Sequence, residues 1–469
     1  MIMKETIISR RKFLKAASIA GAGAMLAACA PATQPPAATQ SPVSSDSETT
    51  TGNLTSEEIT LNVLAENWGE IYNNLMTVIG DEFTKEHPNI KVSWDFDPDW
   101  RTKLTTLLAA NTPPDLAFMR SDFITTVASK GVVLPLDDFL KAAGAKREDF
   151  VLPLYDSSLY NGKLYAMPGG ADFWNPFYSK DMYRAAGLDP EQPPKTLQEF
   201  FDHSKKLVKT AADGSIEQLA YLYTAWQYAN WAFIYGGEFY DAEKDQVTAD
   251  HPKNIEAMKW LKEYWMSEGN IDQLTAFAQR PGFFEAGNPF ATKQCAFVFD
   301  GFWFYEAIDQ HAPDLDYGVA FWPTLTGSEA DRSRYMVGGW MYSLPKGIPH
   351  VNESWALIRY MFLDNSAKMG VDTLNGTCVK AQFDEWVEGM QKKLGESNRM
   401  SPYLHLFVET GGYATKYFPA IPVQSFYTDE LNRVWDLVMR DQLEPEQALA
   451  EARQNVQAEL EKSRKESSS

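Results

Sequence analysis

Hydrophobic and polar positions alternate over Ile59-Thr60-Leu61-Asn62-Val63, the two-residue period of a half-buried strand. Leu75, Val78, Ile79 and Phe83 then recur at helical spacing, and Ile90, Val92 and Trp94 return to alternation. Trp100, Leu104, Leu107 and Leu108 predict a second amphipathic helix, stopped by Thr112-Pro113-Pro114. Asp115-Leu116-Ala117-Phe118-Met119 reads as a short apolar strand. This β-α-β-α-β order predicts an α/β fold with a doubly wound sheet, which holds ligands in the crevice beyond the carboxyl ends of its strands. Glu66-Asn67-Trp68 and Arg120-Ser121-Asp122 occupy two such ends. Beyond Pro168 the pattern shifts to long helices rich in Trp and Tyr, and Leu449, Ala452, Val456 and Leu460 share one helical face near the end of the chain. No internal repeat is visible.

The first segment has a different pattern. Arg10, Arg11, Lys12 and Lys15 precede a run of small and apolar residues from Ala16 to Ala28, too short to span a bilayer. Leu26-Ala27-Ala28-Cys29 resembles the lipobox of bacterial lipoproteins, and the arginine pair resembles a twin-arginine export signal; general secretion stays open as the route. The expectation is a signal peptide over 1–28 and lipidation of Cys29. Residues 29–58 carry Pro31, Pro35, Pro36 and Pro42, many Ser, Thr and Gln, and no aromatic residue, a composition expected of a disordered linker. The domain would then be held at the outer face of the cytoplasmic membrane by a lipid anchor.

The 469 residues include 44% hydrophobic and 13% aromatic side chains, enough for two well-packed domains. A formal charge of −20 and the lack of a basic stripe argue against nucleic acid as a partner. The six histidines are scattered and Cys295 and Cys378 form no ligand pattern, so neither a metal nor a cofactor is expected. Those two cysteines could form a disulfide or stay as buried thiols. No G-x-S-x-G, H-E-x-x-H, P-loop or C-x-x-C motif follows the first segment.

Several segments, in order, resemble the family of extracellular solute-binding proteins that serve sugar importers, the maltose-binding-like class. They include Leu107-Leu108-Ala109-Ala110 with Pro114-Asp115-Leu116, Gly131-Val132-Val133-Leu134-Pro135-Leu136, and Tyr160-Asn161-Gly162-Lys163-Leu164-Tyr165-Ala166-Met167-Pro168. Tyr178-Ser179-Lys180-Asp181-Met182, Ala186-Gly187-Leu188 and Pro193-Pro194-Lys195-Thr196-Leu197-Gln198-Glu199-Phe200 continue the series, with Ser179 and Leu197 as departures. The resemblance implies a two-lobe periplasmic-binding-protein fold whose discontinuous lobes are joined by a hinge. It places 59–168 with 321–368 in the N-terminal lobe and 169–320 with 369–469 in the C-terminal lobe.

It also implies a monomeric receptor that takes a sugar or related polyol between the lobes and hands it to the membrane subunits of an ABC importer. Aromatic rings would cover the C–H faces of such a solute, and carboxylates would accept from its hydroxyls. The resemblance suggests Trp303 as a platform, Trp226 as a second stacking ring, and Asp122 and Asp172 as acceptors. Trp68 stands at a cleft mouth, and Gly339 and Trp340 lie where the backbone would approach the ligand. The alternatives are core packing for the tryptophans, Trp231 as the rival of Trp226, and a helix N-cap for Asp122. Met119 stands where better-known maltose binders have a tryptophan, which puts maltose itself in doubt. A glycosidase cleft would also combine carboxylates and rings, and an adhesive surface protein would need no hinge.

Overall fold

In a computed structural model, residues 54–222, 228–280, 282 and 285–467 are described. The lipobox with Cys29, the arginine pair, nearly all of the linker and Trp226 lie outside the described residues.

The alternating segments become strands of the first of two mixed five-stranded sheets. The first contains β1 (Ile59–Glu66), β2 (Ile90–Asp97), β3 (Leu116–Arg120), β4 (Met167–Asp172) and β10 (Gly338–Ser343) in the order β2-β1-β3-β10-β4. The second contains β5 (Trp174–Ser179), β6 (Lys209–Thr210), β7 (Ile216–Tyr221), β8 (Cys295–Gly301) and β9 (Tyr317–Val319) in the order β9-β5-β8-β7-β6. β1 runs parallel to both β2 and β3, joined by helices α1 (Glu70–Glu86) and α2 (Trp100–Ala109), as the periodicity predicts, and β3 leads directly into helix α3 (Ser121–Ser129). The antiparallel insertion of β10 between β3 and β4 has no local signature.

On α1 the buried stripe is Met76, Ile79 and Phe83, whereas Val78 is 52% exposed. One helical turn cannot aim both Val78 and Ile79 at the same sheet. All seven residues of β8 are buried because it is a central strand with neighbours on both sides and cover on both faces, which explains its unbroken apolar run. Cys295 and Cys378 are both buried and unbonded, small apolar fillers rather than a disulfide.

The chain crosses from the first sheet to the second at Phe173, beyond the expected boundary after Pro168. Residues 169–172 continue β4 and pair with β10. The chain returns between β9 and β10. A third connection starts at the end of helix α5 (Ser366–Thr373), after helix α4 (Phe304–His311) earlier in the chain, and reaches helix α6 (Leu404–Tyr413) against β5. At its start Leu374 adopts φ 58°, and the next turn pairs with the first crossing through Ala171 N–H to Gly376 O at 3.0 Å and Gly376 N–H to Ala171 O at 2.8 Å. Phe173 packs over Gly376, where a Cβ would lie 2.2 Å from the ring. The terminal helices α7 (Gln424–Met439) and α8 (Pro445–Ser467) pack together, with Leu449, Ala452, Val456 and Leu460 all buried as their spacing requires. No described helix is long and apolar enough to cross a membrane.

Candidate functional site

The carboxyl ends of β1, β3 and β4 face the carboxyl end of β8 across a cavity of about 890 Å³. Trp68, Asp122, Asp172, Trp303, Gly339 and Trp340, distant in sequence, all line it. Strand ends supply most of these positions because the ladder stops there and the side chains of the following residues are free to turn inward.

Trp68 follows β1 and packs edge-on against Tyr72, Phe118 and Trp340, with ring centroids 4.2, 5.2 and 5.8 Å away. Its indole N–H and the Tyr72 hydroxyl are buried with no hydrogen-bond partner. Both residues line the cavity. Arg120, at the end of β3, sits over the Trp68 ring at 5.5 Å and donates from Nε to Glu66 Oε2 at 2.8 Å. Burial works against the Arg120 guanidinium, but the Glu66, Asp172 and Asp122 charges outweigh it and hold its pKa above the ordinary value.

Asp122 is not the N-cap of the helix that follows β3. It occupies the first turn, and both its oxygens accept from Arg101 Nη2 at 2.7 Å. It therefore reaches the cavity as half of an ion pair.

Asp172 ends β4 and is 6% exposed. Burial, opposed by Arg120 and reinforced by Glu66, pushes its carboxyl up to about 7. Asn375, from the third connection, donates to its Oδ1 at 3.0 Å, and Trp340 donates from Nε1 to Asn375 Oδ1 at 3.3 Å. Trp340 is 2% exposed, so it forms a wall of the cavity and belongs to the core as well. Its ring lies so close over β4 that a Cβ at Gly169 or Gly170 would come within 2.6 Å of it. At Gly339 a Cβ would meet Gly170 O at 2.4 Å, and at Gly338 it would meet Trp174 at 2.3 Å. These glycines make room for the protein's own backbone and rings.

Trp303 is half-buried and lies across Gly301, where a Cβ would fall 2.1 Å from the ring. Asp300, one residue before that glycine, was not among the expected site residues, although the Asp300-Gly301-Phe302-Trp303 turn is visible in the sequence. It is 8% exposed, and burial pushes it up to about 7 against hydrogen bonds from Gly301 N–H and the Trp303 side chain, with the Asp172 charge adding to the rise. Trp174 and Glu306 also line the second-sheet side. Nothing local in the sequence marks Tyr72 or Asn375, and although Glu66 and Arg120 stand at strand ends visible in the sequence, nothing local marks their pairing. Among the described residues no three His, Cys, Asp or Glu side chains are placed to hold a metal ion.

The family model for bacterial extracellular solute-binding proteins matches residues 65–368. An sn-glycerol-3-phosphate-binding periplasmic protein of Pectobacterium atrosepticum is 32% identical over 137 residues, 28% of this chain and 31% of that protein. A putative binding protein of Brucella abortus is 25% identical over 294 residues, 60% of this chain and 66% of its own length. The matched stretches thus span about a third and just under two thirds of these relatives. A solved structure of CpMnBP1 with mannotriose bound superposes with a TM-score of 0.70 at 23% identity, covering 85% of this chain and 100% of that one. That likeness establishes the two-lobe fold.

Proposed function

The chain belongs to the bacterial extracellular solute-binding protein family, and from that premise we propose that it captures a carbohydrate-like solute between its lobes and delivers it to the membrane subunits of an ABC importer. The single observation that carries this reading is the cavity itself. Its volume of about 890 Å³ suits a small saccharide, and its lining alternates aromatic rings with carboxylates. Rings cover C–H faces, while carboxylates, the Trp68 indole and the Tyr72 hydroxyl match hydroxyls that both donate and accept. The mannotriose bound by CpMnBP1, a protein of the same fold, supports this class of ligand.

Closure of the hinge around Phe173 and Gly376 would bring the two walls onto the solute, and the outer lips of both lobes would meet the importer. Cys29 would carry the lipid that keeps the monomer at the outer face of the cytoplasmic membrane. The chain would leave its solute chemically intact. Asp172 and Asp300 are the buried carboxyls that a glycosidase reading would have to use, and membership of a binding-protein family supports the receptor reading.

The test is calorimetry and thermal shift on the purified chain with mannobiose, mannotriose and a panel of other sugars. Saturable binding with intact sugar recovered by mass spectrometry supports the reading. Cleaved product that disappears in Asp172→Asn or Asp300→Asn would establish a glycosidase instead, and no binding across the panel would remove the carbohydrate assignment.

A further inference from the structure

Six carboxylates line the cavity: Glu66, Glu70, Asp122, Asp172, Asp300 and Glu306. Against them stand only Arg120 and His311 among the described lining residues. The residues outside the description in this part of the chain, 223–227, 281, 283 and 284, bear no charged side chain. Arg120 is already engaged with Glu66 at 2.8 Å. Arg101, behind the wall, is held by both oxygens of Asp122. An incoming anion would therefore find each of these two guanidinium groups already paired with a carboxylate, Arg120 through Nε with Glu66 and Arg101 through Nη2 with Asp122, and would face the buried Asp172 and Asp300 from both lobes.

Resting on the carbohydrate reading, we infer that the cavity sorts hydroxylated solutes by charge, holding neutral or amine-bearing ones and rejecting phosphorylated ones. The orphaned donors do not reverse this. The Trp68 indole and the Tyr72 hydroxyl are neutral groups that each satisfy a single hydroxyl oxygen, whereas a phosphate presents several acceptor oxygens and about two negative charges near neutral pH. Above about pH 7, where Asp172 and Asp300 lose their protons, buried like charges repel strongly because little water remains to screen them. The inference separates this chain from the sn-glycerol-3-phosphate-binding relative despite their sequence similarity.

The test is isothermal titration calorimetry of the full chain at about pH 8, above the range in which Asp172 and Asp300 titrate, with matched probes: D-mannose, D-mannosamine and D-mannose 6-phosphate, the corresponding glucose set, and glycerol against sn-glycerol 3-phosphate, with mannobiose and mannotriose to establish carbohydrate binding. On every scaffold that binds, the phosphorylated probe should be weaker than the neutral one by about tenfold or more, with the amine at least equal to the neutral one. Raising the salt concentration should narrow the gap, as should Asp300→Asn; the salt series on the native chain gives the answer even if that variant does not fold. A phosphorylated probe that binds as tightly as its neutral counterpart, or an amine that binds about tenfold more weakly, overturns charge sorting while leaving the carbohydrate reading in place. Binding by none of the probes overturns both.

Discussion

Asn375 donates a hydrogen bond from Nδ2 to Oδ1 of Asp172 at 3.0 Å, joining residues 203 positions apart at the point where two connections between the lobes lie side by side. The same amide accepts from Trp340. One small side chain therefore ties a buried acid, a wall ring and the hinge together. Asn375→Ala should cost about 1–3 kcal/mol of stability, the range for leaving a buried polar group without its partner. Chemical denaturation measures this, and solute affinity should fall with it because Asp172 is no longer held in place. An unchanged denaturation midpoint would show that the bond contributes nothing.

Trp303 and Trp340 should separate binding from folding. Trp303→Ala should weaken solute binding by roughly 1–3 kcal/mol, as loss of an aromatic platform does. Trp340 is 2% exposed and packs against Gly169, Gly170 and Phe362, so Trp340→Ala should cost about 3–5 kcal/mol of folding stability. Calorimetric affinity and the unfolding midpoint, measured on both variants, check the contrast.

Three buried carboxyls give the pH profile its sign. Asp172 and Asp300 rise to about 7, and Glu268, buried where it accepts from the Ala220 N–H of β7 at 2.9 Å, rises to about 8, burial being the leading cause in each case. Their folded values lie above the unfolded values of roughly 4, so the folded state holds more protons between those limits. Their favourable contribution is complete below about pH 4 and is lost as pH rises toward 7 for the two aspartates and 8 for Glu268. Asp300→Asn and Glu268→Gln, which stay neutral, should therefore gain in melting temperature relative to the native chain as pH is raised through those windows. A difference that does not change with pH would contradict the assignment.

Cys29→Ser should release the protein from the membrane fraction without altering its melting temperature, since the expected linker separates the anchor from the domain. Fractionation with intact-mass spectrometry tests it, and an unlipidated native protein would rule out the anchor. Lysine in place of Arg10 and Arg11 tests the export route separately.

Where a side chain's role depends on its near neighbours in sequence, the pattern was sufficient. Alternation and helical spacing specified β1, α1, β2, α2 and β3, and the last helix buries the four residues its period selects. Trp68 and Asp122 could be placed at the cavity because a strand end is a local feature, and Trp303 came from the resemblance of its Gly301-Phe302-Trp303 segment to the family's platform. Tertiary structure decided the rest. β10 enters the first sheet from far along the chain, so its pairing with β3 and β4 has no local cause. Only that pairing shows Gly338 and Gly339 making room for Trp174 and Gly170. The engagement of Asp122 by Arg101, the Glu66–Arg120 pair and the reach of Asn375 to Asp172 are equally matters of assembly. The charge balance of the cavity follows from these pairings, because a residue's type sets its charge but only the folded chain determines which charges are compensated and which are buried together.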